Sequence, residues 1–419
     1  MNRSWPFYKK FVFLFIAVYI FLYANATQFI ATFAFMPVWK KLVPIFAKAV
    51  GSTQEIKSVM SGSGDTSFDY YLILLFACLS IIASIIISIL DRKRDNYNTT
   101  LKWFLIILRY FLAFQMINYG LAKIFYLQFS APGVTRLDST LGNISPMGLL
   151  WTFMGYSKSY TVFTGVLEFT GGILLFSRRT ALLGSLVTFG VMLNVMMMNF
   201  CYDVPVKLLS THMVFMSLIL VGFQGQRLFD FFIRNKSVEE VVWSDVVSEK
   251  WISAKIILKW FLLSVYVIFG IYSSYSSSQK YGPSANKAPF VGLYEVEEFD
   301  VFINDQPAKN IRQEKQWKTF NYIVNYQGKH WAAIKYKSET KPDWSATQID
   351  TLNNELTIKL NNTMDTFALN YVTDGDKFIK LSGIFADDSI SAVLKRKNVE
   401  DYPLMSRKFS WVQERPYNR

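Results

Sequence analysis

Seven long apolar segments dominate the first two thirds of this 419-residue sequence. A helix that crosses the hydrocarbon core of a bilayer needs about 20 mostly apolar residues. Because a backbone in lipid must satisfy its own hydrogen bonds, the segments predict an α-helical polytopic membrane bundle with about seven transmembrane helices. The segments cover roughly residues 11–33, 70–90, 102–126, 159–176, 180–200, 206–222 and 252–272.

Basic residues indicate how the bundle is oriented. They cluster before the first segment, after the second, between the fourth and fifth, and after the sixth, at 9–10, 92–94, 178–179 and 227–236. Alternating segments place these clusters on one face, which the positive-inside rule makes cytoplasmic. Lys40, Lys41 and Lys48 are exceptions on the outer side. We therefore predict a multi-pass protein of the cytoplasmic membrane, with its N-terminus inside and its C-terminal region outside.

The first segment also has features of a signal peptide. Lys9 and Lys10 precede an apolar run, and small residues follow at 24–26. The apolar pattern continues to about Phe35, beyond the length of an ordinary signal sequence. We expect an uncleaved anchor, and the cleaved alternative leaves the remaining topology unchanged.

The sequence pattern changes after Tyr272. A stretch rich in Ser, Gly and Pro at 273–289 predicts a linker. Over 290–419 the apolar residues alternate with a period of two, and turns are marked by Gln327-Gly328, Asp374-Gly375 and Asp387-Asp388. Eight or nine short strands predict an all-β antiparallel, barrel-like domain. The sequence leaves open whether the barrel is filled or holds one small ligand.

The bundle divides into a core and two flanking parts. Residues 1–100 form an N-terminal extension with two spans and an outer loop, SGSGDT, at 61–66. Residues 101–225 form a four-helix core, and 226–272 combine an amphipathic cytoplasmic segment with the seventh span. Between core segments, Ser145-Pro146 predicts the start of a short interfacial helix, because serine caps helices and proline suits the first turn.

Charged residues within the apolar segments are the leading functional candidates. One face of the third segment is cationic and one face of the fourth is acidic, and both carry glycine. The residues concerned are Arg109, Gly120 and Lys123, and Glu168, Gly171 and Gly172. Such faces are costly against lipid and should point into the bundle. Glu168 and Arg109 lie at similar depths, so we predict that they pair, with Gly171 and Gly172 allowing a close helix approach.

Polar residues towards the outer face extend this candidate network. Lys123 is expected either to snorkel or to meet Asp138 or Asp203. His212 and Asn194 are further candidates within the spans, and Asp65, Asp203, Lys207 and Asp138 are candidates in the outer loops. Two interpretations remain open for the buried charges. They fix the helix register, as some buried ion pairs do, or they line a ligand or proton site.

The residue inventory limits the chemistry. Cys78 and Cys201 are the two cysteines, and His212 and His330 are the two histidines. A disulfide framework, a Cys/His metal cluster or a haem between two histidines is therefore not expected, and no self-sufficient catalytic motif is recognisable. The net charge of +13 lies in the membrane half. It indicates topology rather than a nucleic-acid partner.

At these residues the chain resembles the DoxX-like membrane protein family, whose fold is a four-helix membrane core. The matching pattern is an arginine that opens one helix, a Gly followed by Lys near its end, and a later Glu with Gly-Gly before a terminal arginine. In this sequence those positions are Arg109, Gly120, Lys123, Glu168, Gly171, Gly172 and Arg178. The resemblance covers about 101–225.

The whole layout is similar to longer DoxX-related proteins of Bacteroidota-type bacteria. The shared stretches are SGSGDT at 61–66, SPMGLLWTFMG at 145–155, DVPVKL at 203–208 and FSWVQERPYNR at 409–419. This resemblance implies the inner membrane of a Gram-negative cell and a periplasmic C-terminal domain. Among DoxX-like proteins, some are subunits of quinone-linked oxidoreductases, others associate with thiol- or superoxide-handling enzymes, and a distant eukaryotic relative is a cargo receptor.

The leading hypothesis is an accessory membrane subunit. It would bind a lipophilic molecule, a quinone or a lipid, near Arg109, Glu168 and Lys123, and a periplasmic partner through its β domain. One alternative is the membrane component of a quinone-linked oxidoreductase, which would need a partner or a bound quinone. Another is a membrane receptor or assembly scaffold.

Overall fold

The computed structural model describes residues 4–27, 31–59, 61–238, 252–281, 290–303, 306–308, 312–324, 329–339, 341–360, 365–375, 377–386, 388–407 and 409–416. Within these ranges it contains twelve α-helices and nine β-strands. They group into two compact units, one formed by Met1–Gln128 and Ser159–Ser274, the other by Phe129–Lys158 and Tyr275–Arg419.

The helices in chain order are α1 (Phe7–Thr27), α2 (Ala31–Ala49), α3 (Ser67–Leu90), α4 (Asn98–Ile124), α5 (Val134–Leu137), α6 (Pro146–Tyr156), α7 (Lys158–Phe176), α8 (Ala181–Cys201), α9 (Lys207–Gly222), α10 (Gly225–Phe232), α11 (Ile252–Tyr281) and α12 (Pro403–Ser406). Six of them are long and apolar enough to cross a membrane, namely α1, α3, α4, α7, α8 and α11. A seventh crossing results if α9 and α10, which meet at a 69° bend, form one broken span. The protein is therefore a multi-pass membrane protein whose bundle lies in a lipid bilayer.

The first predicted span, 11–33, overlaps two described helices. Helix α1 covers Phe7–Thr27 and α2 begins at Ala31, while 28–30 lie outside the described residues. Helix α2 contains Pro37 and Pro44 and carries three lysines, and it is not among the helices apolar enough to cross. The apolar pattern past Ala26 therefore includes the apolar first turns of α2, whose lysines follow later in the helix.

The linker begins later than the sequence pattern predicted. Helix α11 continues through the serine-rich stretch and ends at Tyr281, so 273–281 are helical. Serine is only a mild helix opponent, whereas the glycine and proline at 282 and 283 are strong ones. The rest of the predicted linker, 282–289, lies outside the described residues.

The strands are β1 (Gly292–Ile303), β2 (Gln306–Pro307), β3 (Trp317–Val324), β4 (His330–Tyr336), β5 (Asp343–Asp350), β6 (Glu355–Lys359), β7 (Thr366–Asp374), β8 (Phe378–Phe385) and β9 (Asp388–Arg396). Strands β3 to β9 follow one another as antiparallel neighbours, β1 joins β3, and β9 returns to β1 to close an eight-stranded barrel. The two-residue β2 adds to the end of β1. The predicted antiparallel barrel-like domain is confirmed.

Turn chemistry explains part of the strand order. Strand β7 ends at Asp374, and Gly375 has a φ of +58°, which glycine adopts without strain. The predicted turn there is confirmed. The predicted turn at Gln327-Gly328 lies outside the described residues, although β3 and β4 on either side of it pair in register. Asp388 opens β9, and Asp387 also lies outside the described residues.

Large side chains fill the barrel interior. Trp317, Phe320 and Tyr322 are almost fully buried, together with aliphatic residues from the other strands. The space left between Phe290, Tyr371 and their neighbours amounts to about 10 Å³. That volume is at the lower limit for a single water molecule. Among the described residues, large side chains therefore occupy this part of the barrel interior and leave no room there for a ligand.

The loop between α4 and α7 packs on the barrel within the second unit. It contains α5, a 3₁₀ turn (Leu141–Asn143) and α6. Ser145 caps α6 by accepting a hydrogen bond from the Gly148 amide, and Pro146 occupies the first turn, as predicted. The Asn321 side chain on β3 donates to the Thr135 hydroxyl at 2.9 Å.

Candidate functional site

The crossing of α4 and α7 is set by glycines. A Cβ added to Gly120 would lie 2.8 Å from the Gly165 carbonyl oxygen, and a Cβ added to Gly165 would lie 2.8 Å from that of Gly120. The close contact between α4 and α7 continues about two turns further along α7 at Gly172, where an added Cβ would lie 2.8 Å from the Ala113 carbonyl oxygen. Small residues let two membrane helices approach this closely. Gly171 instead faces Thr188 and Val187 on α8, so only one member of the predicted glycine pair serves this contact.

The buried acid pairs with a different cation from the predicted one. Lys123 donates a hydrogen bond to the Glu168 carboxylate, and the two residues are 5% and 1% exposed. The predicted Arg109–Glu168 pair was therefore wrong in its partner. An ion pair between the third and fourth apolar segments does exist, as the opposite charges of the two helices indicated.

The register of the two helices explains the exchange of partners. An added Cβ on Gly120 would lie 2.7 Å from the Phe169 amide nitrogen, so the residue after Glu168 is level with Gly120. Arg109 is eleven residues before Gly120, towards the N-terminus of α4, or about 16 Å away at the rise of an α-helix. Lys123 is less than one turn from Gly120, and side chains on helices lean towards the N-terminus. Lys123 therefore leans towards the level of Glu168.

Arg109 lies in a separate, buried environment on α4. Its guanidinium is 5.2 Å from the centre of the Tyr110 ring, and Arg178 is close enough to repel it. The Nε atom has no hydrogen-bond partner among the described residues. The predicted network is thus split into an ion pair and a separate buried cation.

Glu168 retains a free acceptor. Its Oε2 atom is buried and has no hydrogen-bond partner within the described part of the chain, since Lys123 binds Oε1. The Tyr119 phenol is close enough to feel the charge of Glu168. A buried acceptor without a donor is costly in a low-dielectric interior. The geometry therefore provides a buried ammonium bound to one oxygen of a carboxylate whose other oxygen has no partner among the described residues.

His212 belongs to an aromatic cluster with α1. Its Nδ1 is 2.7 Å from the Leu208 carbonyl oxygen, which can only accept, so Nδ1 carries a proton. In the neutral ring, Nε2 then accepts the Tyr19 hydroxyl proton at 2.8 Å. The Tyr23 ring stacks on the imidazole at 3.8 Å. The sequence reasoning missed both tyrosines, whose only signal was a polar tip within an apolar run.

Of the two asparagines in α8, the one predicted for the network is exposed. Asn194 lies on the exposed face of α8. Asn199 is buried and its amide nitrogen donates to the Ser210 hydroxyl at 3.0 Å. Asn199 therefore ties α8 to α9, and Asn194 does not reach the buried pair.

Two loop motifs meet at the start of α9. The Asp65 carboxylate of SGSGDT accepts hydrogen bonds from the backbone amides of Lys207 and Leu208, at 2.7 and 2.9 Å. These amides begin α9 and have no partner within the helix. Lys207 also donates to Asp203 at 2.8 Å. Three of the predicted outer-loop residues thus come together as a helix cap and its neighbours.

Asp138, the fourth outer-loop candidate, lies in the second unit. It accepts hydrogen bonds from the Lys397 ammonium at 2.8 Å and the Tyr402 hydroxyl at 2.9 Å. Burial opposes ionisation, but these hydrogen bonds hold the pKa of Asp138 below its ordinary value. The contact fastens the loop after α4 to the segment that follows β9.

Metal ligands do not cluster in the described ranges. Among those residues there is no group of three His, Cys, Asp or Glu side chains that could hold a metal ion. Cys78 and Cys201 are both free thiols.

The fold and the buried ion pair define a polytopic membrane protein with an attached antiparallel β-barrel. Uncharacterized protein YwoB of Bacillus subtilis is 35% identical to the chain over 124 residues, which are 30% of this chain and 79% of YwoB. The chain belongs to the same family as YwoB. No family model matches the sequence, and no solved structure matches it.

Proposed function

We propose that this protein is an accessory, non-catalytic subunit of the inner membrane of a Gram-negative bacterium. Its bundle binds a lipophilic molecule, a quinone or a lipid, and its β domain lies in the periplasm and docks a protein partner. The observation that carries this proposal is the buried Oε2 of Glu168, which has no hydrogen-bond partner among the described residues while Lys123 binds Oε1. Ionisable groups at membrane depth are costly and are therefore most often retained for function.

The chemistry of Glu168, Lys123 and Tyr119 suits a neutral ligand with one hydroxyl or carbonyl. A hydroxyl donates to Glu168 Oε2, and a carbonyl accepts from the Tyr119 phenol or the Lys123 ammonium. Quinones and acylglycerols carry both kinds of group on an apolar body. Membership of the DoxX-like family is part of this proposal, because the motif residues Gly120, Lys123 and Glu168 lie at one helix crossing.

The packed aromatic core of the barrel favours a docking role for the β domain. The cavity between Phe290, Tyr371 and their neighbours is too small for a quinone or lipid. After β9, Phe409 and Trp411 are 79% and 91% exposed, and Val412 is exposed beside them. Exposed aromatic side chains of this kind are enriched at protein interfaces. The receptor or scaffold alternative uses the same surface and differs in lacking a ligand in the bundle.

The experiment is to extract the purified, detergent-solubilised protein and identify bound molecules by mass spectrometry. We expect a stoichiometric quinone or acylglycerol in the natural protein and at least a tenfold loss in the double variant Lys123→Met, Glu168→Met, which removes both charges together. Asn194→Leu is the control, because Asn194 is an exposed polar residue of α8. Equal amounts in all three proteins, or none in any, would contradict the proposal.

The same purified protein can be used to distinguish the oxidoreductase alternative from the accessory-subunit proposal. The proximity of Lys123, Tyr119 and Glu168 would also serve proton transfer to a reduced quinone. A bound quinone that is reduced by a physiological partner, seen as an absorbance difference spectrum, favours that alternative. A bound molecule without redox change favours the accessory subunit.

A further inference from the structure

A cleft opens at the end of the bundle where α1 begins and α3 ends. It has a volume of about 460 Å³ and is lined by side chains of both helices and of the turn that leads into α4. Small-molecule sites in proteins have volumes of about 300–1,000 Å³. The cleft belongs to neither the ion pair of α4 and α7 nor the His212 cluster.

The walls of the cleft are apolar on the α1 and α3 sides. Phe7, Ile85 and Ile89 line it, and all three are exposed. They belong to helices long and apolar enough to cross the membrane, so this part of the cleft is open to lipid rather than to water alone. An aliphatic chain can lie against these side chains without exposing its surface.

The rim of the cleft is cationic. Lys10 and Arg92 both line it. The Lys10 ammonium donates to the Arg94 carbonyl oxygen at 2.6 Å, and an ammonium has two further N–H donors. One acid, Asp91, also lines the cleft, but its Oδ2 already accepts from Arg94 at 3.3 Å and from the Tyr97 hydroxyl at 3.2 Å.

A buried hydroxyl completes the arrangement. The Ser88 side chain lines the cleft, and its Oγ is buried without a hydrogen-bond partner among the described residues. Other serines of α3 do not share this state, since Ser80 and Ser84 donate to carbonyl oxygens one turn earlier at 2.6 Å. Ser88 is therefore a buried donor at the wall of the cleft that has no partner in the described structure.

We propose that this cleft binds one anionic phospholipid from the leaflet that surrounds this end of the bundle. The phosphodiester anion binds to Lys10 and Arg92, a glycerol or ester oxygen accepts from the Ser88 hydroxyl, and an acyl chain lies against Phe7, Ile85 and Ile89. Lys10 is about one turn inside α1, and Ser88 is in the last turn of α3. Both positions are near the ends of helices that are long and apolar enough to cross a membrane, where we expect headgroups and glycerol groups to lie. Basic pockets between membrane helices bind such headgroups.

The test measures lipid binding to the full chain in detergent by native mass spectrometry. The probes are phosphatidylglycerol, phosphatidylcholine with the same acyl chains, and glycerophosphoglycerol, which has the headgroup without chains. We expect phosphatidylglycerol to bind at least tenfold more tightly than phosphatidylcholine, and we expect no competition from the soluble headgroup at equal concentration. Equal binding of the two lipids would overturn the proposal, and full competition by the soluble headgroup would replace the lipid with a free phosphoester.

Two matched double variants locate the site. Lys10→Gln with Arg92→Gln should weaken phosphatidylglycerol binding about 30-fold, since two basic residues near a membrane surface together contribute about 2 kcal/mol. Lys9→Gln with Lys93→Gln removes the same charge from adjacent residues that do not line the cleft, and should leave binding within about twofold. Identical losses in the two variants would show a diffuse charge effect and contradict a site.

Ser88→Ala keeps every charge and tests the cleft independently of folding problems in the charge variants. It should weaken phosphatidylglycerol binding severalfold while leaving the melting temperature unchanged, because the hydroxyl has no partner to lose in the described structure. Unchanged binding in Ser88→Ala together with unchanged binding in a folded Lys10→Gln, Arg92→Gln protein would exclude the site. If that double variant does not fold, the result for Ser88→Ala decides.

Discussion

Gly120 and Gly165 hold the backbones of α4 and α7 in direct contact. Each lacks the Cβ that would lie 2.8 Å from the other's carbonyl oxygen. This contact fixes the level at which the two helices meet, and that level places Lys123 beside Glu168. The ion pair is therefore a consequence of helix register as much as of charge.

Replacing Gly165 by alanine tests that register. The new methyl group meets the Gly120 carbonyl oxygen and the Lys123 Cβ, both at 2.8 Å, so the helices must separate. We expect the free energy of unfolding in detergent to fall by about 1–3 kcal/mol, as for other overpacked sites. Gly190→Ala on α8 is the control, because no atom lies within 4 Å of its added Cβ. A loss of similar size at Gly190 would show that the cost is not due to the crossing.

Glu168→Gln tests the energetic role of the pair. The substitution leaves the Lys123 ammonium buried without its counter-charge, and one-sided loss of a buried pair costs about 3–5 kcal/mol. The measurement is denaturant or thermal unfolding in detergent. Lys123→Met combined with Glu168→Met should recover most of that loss, because no unpaired charge remains. If Glu168→Gln is as stable as the natural protein, Lys123 and Glu168 do not depend on each other.

The sequence predicted that an ion pair joins these two helices, but it misassigned the cation. Depth was counted from the ends of the apolar segments, yet α4 begins at Asn98, ahead of the predicted segment. A count from segment ends carries an error of one turn or more for each helix. The decisive contact, Gly120 with Gly165, is a tertiary contact between residues 45 positions apart. Glycine is frequent in membrane helices, so Gly165 was not distinctive in the sequence.

The same limit applies to the other polar clusters. The β domain could be predicted because alternation and turn residues are local signals, and its strands follow one another as antiparallel neighbours. By contrast, Tyr19 meets His212 across 193 positions, and Asp65 meets Lys207 across 142. Both loop motifs were visible in the sequence, but their pairing depends on how α3 and α9 pack. A residue pattern can mark each of these residues as a candidate, but it does not show which two candidates are in contact.

Asp65→Ala tests the cap of α9. Asp65 accepts from the first two amides of that helix, and loss of a capping side chain costs about 0.5–2 kcal/mol. We expect a loss in that range, with faster hydrogen exchange in the first turn of α9. Asp203→Asn is the control, because Asp203 is mostly exposed, and its contact with Lys207 is a surface pair worth about 0–1 kcal/mol. Asparagine, like aspartate, adopts a positive φ readily, so this control does not strain the backbone at Asp203, where φ is +52°. Equal effects of the two substitutions would contradict a capping role.

Asp138 should make the second unit sensitive to acid. Although burial opposes its ionisation, hydrogen bonds from Lys397 and Tyr402 hold the pKa of Asp138 below its ordinary value of 3.8. Because the folded pKa is depressed, the stabilisation is present above pH 3.8 and is lost as the pH falls through the folded value. We expect peptides covering 134–145 and 397–406 to keep their protection from hydrogen exchange at pH 5 and to lose it as the pH falls below 3.8.

The variant Asp138→Asn isolates that contribution from the other carboxylates. It cannot ionise, so its protection should be lower than that of the natural protein at pH 5 and should change less on acidification. Lys397 is expected to keep its charge throughout this range. Burial opposes that charge, but the contacts with Asp138 and Glu295 together outweigh burial and raise the pKa of Lys397. The acid response therefore belongs to the carboxylate. Parallel pH profiles in the two proteins would show that the contact of Asp138 with Lys397 and Tyr402 does not stabilise the loop after α4.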